Sequence, residues 1–141
     1  MVARIVVAYD DSAGARLALA LAVELARALS TASLLVVAVD ESGNEEPMSY
    51  IGDGRGAHPG RPACRAWLED AARFAGKHGV SPKTEIRVGH PSGQLLAAAR
   101  AENADLLIIG HSKHPALRNR LIGSTAERVV RHSFCPVLIA R

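Results

Sequence analysis

Two glycines thirteen residues apart, Gly110 and Gly123, frame the stretch of this chain with the most chemical potential. Gly110 closes an apolar run, and Gly123-Ser124-Thr125 opens a segment with helical spacing. The free N–H groups and positive dipole end of a helix start attract anions. A glycine there lets a phosphate approach the backbone, and Ser124 or Thr125 adds a hydroxyl. Ser124-x-x-Glu127 also spells a capping box, which a helix uses with no ligand at all. Lys113 stands between the glycines and offers an ammonium to a phosphate. Asp10, at the tip of the first apolar run, can accept hydrogen bonds from ribose hydroxyls, or serve as a turn or helix-start acid. Gly110 can admit a ligand to the backbone or end a strand.

Other chemistries find less support. His111-x-x-His114 lacks the third and fourth ligands of a zinc site. Neither a GxSxG elbow nor a GxxxxGK[ST] phosphate loop occurs. No base or metal-binding acid pair is evident beyond Asp10 and Asp11, so no catalytic residue is assigned and slow ATP hydrolysis is the most the residues suggest.

The elements that must hold these groups follow from periodicity. Residues 3–9 read as a buried strand ended by Asp10-Asp11-Ser12. The next segment is an amphipathic helix capped by Ser12, its apolar side read from Leu17, Leu21, Leu25 and Leu29. Strands follow at 33–39, 83–88, 105–110 and 136–140. The 83–88 strand has mixed polarity, which suits a sheet edge. Helices are expected from Cys64, with Cys64, Trp67, Leu68, Ala71 and Ala75 on one side and Gly79 as a stop. Two more are expected after His90, with Pro91 at the first position, and from Ser124. Residues 40–62 hold five glycines and three prolines without periodicity, and read as a flexible insertion or functional lid.

Strands thus alternate with helices, and several are apolar throughout. This is the pattern of a doubly wound α/β fold with helices on both faces of a parallel sheet. In such sheets ligands bind beyond the carboxyl ends of the strands. The loops carrying Asp10, Gly110 and Gly123 all fall on that rim.

The bulk properties agree. One domain, 1–141, suits the 141 residues. Aromatics make up only 4%, which argues against stacking-based nucleic-acid binding. Lys plus Arg is 17 against 14 acids, a mild excess gathered at residues 111–132. Two cysteines without CxxC spacing fit a reducing compartment. No apolar stretch approaches the roughly 20 residues of a membrane span, and Asp10 and Asp11 interrupt the first apolar run, so a cytoplasmic protein without a signal peptide is expected.

Three stretches resemble the universal stress protein family: "RIVVAYDDS", "NADLLIIG" and "GSTAERVVRHSFCPVLIAR". The resemblance covers essentially the whole chain. It implies a five-stranded parallel sheet of order 3-2-1-4-5, a homodimer joined through the final strand 136–140, and a role in stress response. It also implies a division between members that bind ATP through G-x2-G-x9-G-[S/T] and members that lack those glycines. Here Gly110, Gly123 and Ser124 match that motif, while Lys113 replaces its second glycine. By the same carry-over Ala8 and Val39 lie where the family holds adenine, with Val39 offering backbone groups. The nucleotide-binding set implied is Ala8, Asp10, Val39, Gly110, Lys113, Gly123, Ser124 and Thr125, with ATP or AMP as ligand. The alternative is a dimeric interaction module of the same family that binds no nucleotide, because a side chain at Lys113 obstructs the backbone approach.

Overall fold

The computed structural model describes residues 2–30, 32–42, 61–111 and 124–141. Lys113, Gly123 and the interior of the glycine-rich insertion lie outside the described residues. The elements run β1 (Arg4–Ala8), α1 (Ala13–Ala28), β2 (Ser33–Asp40), α2 (Arg61–Lys77), β3 (Lys83–Val88), α3 (Pro91–Ala101), β4 (Leu106–Gly110), α4 (Ser124–His132) and β5 (Val137–Ala140). All strand pairs are parallel, in the order β3-β2-β1-β4-β5. The expected architecture and strand order are both present.

Alternation along β1 sorts the core into two layers, because successive side chains leave a strand on opposite faces. Ile5 and Val7 join a cluster with Ala18, Leu19 and Ala22 of α1 and Cys64, Leu68 and Ala71 of α2. Val6 faces the other way, against Leu95 and Ala98 of α3 and Val129 of α4. Central strands buried on both faces must be apolar throughout, which is why β1, β2 and β4 read as continuous runs. β3 is the mixed-polarity edge that its sequence suggests.

Three local expectations are corrected. On α1 the four-residue leucine stripe is not the buried face. Leu17 and Leu29 are exposed, and Gly14, Ala15, Ala18, Leu19, Ala22, Val23 and Ala26 are buried. Small residues let the helix lie close to the sheet, so Ala15, Ala18, Ala22 and Ala26 point inward with Leu19 and Val23, and the stripe begun by Leu17 is displaced from that face. Next, α2 starts at Arg61, a turn earlier than Cys64, so β2 and α2 trim the expected insertion at both ends. Finally, Ser124 is the first helical residue of α4, and Glu127 Oε1 lies 2.9 Å from Arg131 Nη2. Glu127 therefore pairs forward along the helix at i,i+4 and does not reach back as a capping box requires.

Two devices at the rim opposite the carboxyl ends fix strand starts and a helix end. Asp105, just before β4, accepts hydrogen bonds at Oδ2 from the backbone N–H groups of Ala3 and Arg4, both at 2.9 Å. Those amides hold its carboxyl below the ordinary carboxylate range. Gly79, with φ of 77°, ends the run of α2 in the left-handed region as its sequence position suggests.

Candidate functional site

The winding of the chain reverses between β1 and β4, and a crevice of about 270 Å³ opens at their carboxyl ends. That is just below the usual size range for small-molecule sites, roughly 300–1,000 Å³.

One wall is the turn from β1 into α1. Asp10 Oδ1 accepts from the Ser12 N–H at 2.8 Å, which closes a tight turn. Ser12 is then the N-cap of α1, its Oγ accepting from the Ala15 N–H at 3.2 Å. Asp10 is exposed and lines the crevice with Ser12 and Ala15. One oxygen of the carboxylate is thus committed to the turn while the group still borders the cavity. Both roles read from the sequence for Asp10, turn acid and crevice carboxylate, are compatible.

The opposite wall is the end of β4. Gly110 lines the crevice, but its lack of a side chain has a second cause. A Cβ there would sit 2.7 Å from the Ala15 backbone N and closer still to the Gly14 carbonyl. A Cβ at Gly14 would in turn collide with the carbonyl oxygen of His111. Two glycines from distant parts of the chain permit the first turn of α1 to rest directly on the end of β4. The glycine position is required by packing whether or not a ligand is present.

The floor comes from β2 and α3. Val37 and Val39, two residues apart on one face of β2, line the crevice with Pro91 and Leu95, one helical turn apart on α3. Thr125 and Ala126 close it from the first turn of α4. Glu41 and Trp67 border it at the β2 end.

Of the expected site residues, the fold brings Ala8, Asp10, Val39, Gly110 and Thr125 into one cavity. Ser124 is exposed at the adjoining start of α4 and is not part of the lining. Lys113 and Gly123 lie outside the described residues. Sequence reasoning missed Tyr9, Val37, Leu95, Glu41 and Trp67 as site residues. A signal existed for Val37, which shares the strand face of Val39. None existed for Trp67, whose position on the core side of α2 says nothing of the rim.

The electrostatics are one-sided. Among the described lining residues the charged groups are Asp10 and Glu41, with no cation beside them. Tyr9, Glu41, Trp67 and Thr125, each with a polar side-chain atom, are among the lining residues. Among the described residues none of the four is engaged in a side-chain hydrogen bond or ion pair. At the end of β2 the buried Asp40 accepts at Oδ1 from the Ser42 N–H at 2.9 Å and from its hydroxyl, and Arg61 Nε stands 3.9 Å from Oδ2. The nearby Cys64 is fully buried, and burial together with the Asp40 charge pushes its thiol up, which disfavours the thiolate. Among the described residues no group of three or more His, Cys, Asp or Glu could hold a metal ion.

Residues 1–141 match the universal stress protein family over their whole length. The chain belongs to that family. A universal stress protein of Methanocaldococcus jannaschii is 34% identical over 74 residues, covering 52% of this chain and 44% of that relative. The chain spans about half the length of the curated relatives it matches. Among solved structures, UspA of Lactobacillus plantarum superimposes with a TM-score of 0.78 at 25% identity, covering 99% of this chain and 97% of its own. A universal stress protein in complex with cAMP superimposes with a TM-score of 0.73 at 26% identity, covering 99% and 97%. In this member of the family no helix among the described residues is long and apolar enough to cross a membrane.

Proposed function

We propose that this universal stress protein is a cytoplasmic regulatory protein that binds an adenine nucleotide, ATP or AMP, at the carboxyl rim of its sheet and acts in stress response as a dimer. The observation that carries the proposal is the crevice at the β1–β4 reversal, which gathers Asp10 from the β1–α1 turn, Val39 from β2, Gly110 from β4 and Thr125 from α4. The relative that holds cAMP supports it. In this reading the free oxygen of Asp10 accepts from ribose hydroxyls. Val39 offers its backbone and Ala8 leaves room for the base. The N-terminal amides of α4 at Ser124 and Thr125, with Gly123 and the Lys113 ammonium, meet the phosphates. Occupancy shifts affinity for a protein partner to the extent that the ligand binds one conformation better. No covalent step is assigned.

A second reading stands on specific observations. The Gly14–Gly110 contact and the Asp10–Ser12 turn account for two motif residues without a ligand. With Lys113 at the second motif glycine, they favour a dimeric interaction module that binds no nucleotide.

Isothermal titration with ATP and with AMP at physiological salt separates the two. Saturable heat with a raised melting temperature supports the first. Absence of both at millimolar nucleotide defeats it, and binding that emerges only in Lys113→Gly establishes the second.

A further inference from the structure

The crevice has two chemically different ends. Because β1 lies between β2 and β4, the β2 end and the α4 end are separated by two strand spacings, about 10 Å. The α4 end offers helix-start amides and the Thr125 hydroxyl. The floor of the β2 end is built from Val37 and Val39, with Glu41 at its outer lip, and it is there that Trp67 borders the cavity from α2.

Trp67 is well placed to present a fixed ring. Cys64, one turn before it, is fully buried and Leu68, beside it, is 6% exposed, so the backbone of this turn is anchored on both sides. Trp67 itself is half-buried, packed against the same core cluster at one edge and open to the crevice at another. Its indole N–H has no acceptor among the described residues. A buried indole normally finds a partner for that group, and an aromatic ring held at a cavity wall provides a large flat contact at small entropic cost.

The geometry points to Trp67 as a ligand-contacting residue that sets specificity for a planar base, its ring forming the wall against which the base of the nucleotide packs. This deepens the nucleotide proposal and rests on it. The residue selects for the base and not for the sugar or phosphate, because only the base has a π face to lie against the indole. Purines, with the larger face, bind more tightly than pyrimidines of equal phosphate charge.

Trp67 is the only tryptophan in the chain, so its emission reports on this wall alone. Titrating the full chain with AMP should quench or shift that emission, with the same midpoint as the calorimetric heat. Ribose 5-phosphate, which lacks a base, should leave the emission unmoved. Stacking lost in Trp67→Leu should weaken AMP about tenfold or more. Trp67→Phe should stay within about threefold of the parent, and ribose 5-phosphate should bind all three proteins alike. A structural role for Trp67 would instead weaken both ligands together. If the parent binds AMP by calorimetry but its emission does not change and Trp67→Leu binds as tightly, the assignment of Trp67 is overturned and the nucleotide site stands. If the parent gives no heat, both fall. The emission measurement needs no variant, so misfolding of Trp67→Leu does not shelter the proposal.

Discussion

Gly110 illustrates how one residue can answer to two demands. It borders the crevice, and it lets the start of α1 touch the end of β4. Gly110→Ala should therefore destabilise the ligand-free protein by about 1–3 kcal/mol, the usual cost of overpacking. Urea denaturation without nucleotide measures this, and an unchanged midpoint would show that the contact relaxes freely. The prediction bears on how motif mutants are interpreted. Lost nucleotide binding in a Gly110 variant reports on this packing as much as on ligand contact, whereas Thr125, whose side chain has no described partner, gives a cleaner probe. At this scale the sequence was legible where a residue type has few uses. Asp10, Gly110 and Thr125 stood out and do meet at one cavity. Trp67 was legible only as a core residue, because periodicity ranks it with Cys64 and Leu68 and cannot see the rim.

Elements are tied together here by a small number of polar contacts outside the helices and strands. Asp105 is the clearest, accepting two N–H groups from the start of β1 while introducing β4. Its carboxyl is held below the ordinary range, so the folded state binds that proton less readily than the unfolded chain. The stabilisation is fully present above the unfolded value of about 3.9 and disappears as pH falls through the lower folded value. Asp105→Asn should be less stable than the parent at neutral pH, with the gap constant from about pH 5 to 8 and closing below about pH 4. Urea midpoints across that range test it, and a gap that persists in acid would assign the effect to shape and not charge. The helices teach a related lesson. Spacing announced that α1 is amphipathic, yet the leucine stripe lies off the buried face. Several stripes of an alanine-rich helix are apolar enough to face inward, and the choice among them is made by how closely the sheet requires the backbone to approach.

For the whole molecule, β5 is the feature with consequences for assembly. Among the described residues it pairs only with β4, and Leu107 N–H donates to the Pro136 carbonyl and His111 N–H to that of Ala140. By the alternation of a parallel ladder, the backbone groups of Val137 and Ile139 face the open edge. Exposed Phe134 and Val130 lie in the adjoining turn and on α4. An open apolar edge invites pairing, and a second copy is the partner we propose for it. Val137→Pro removes one outward N–H at the first residue of the strand, where proline is tolerated. It should shift the protein from dimer to monomer in sedimentation at micromolar concentration, with the fold intact by circular dichroism. A parent already monomeric there would refute assembly through β5.

What the sequence determined by itself was the order of elements, the parallel doubly wound sheet and the residues that end each strand on one rim. Those follow from local causes: continuous apolar runs, helical spacing, caps and glycine stops act over a few residues each. Only the tertiary structure decided that Gly110 answers to Gly14, that the face of α1 holding Ala15, Ala18, Leu19 and Ala22 and not the stripe from Leu17 turns inward, and that Trp67 reaches the same crevice as Asp10 and Thr125. Such facts depend on contacts between positions far apart in the chain. The distance of approach between two packed backbones is set by every neighbour at once, and no short stretch of residues encodes it.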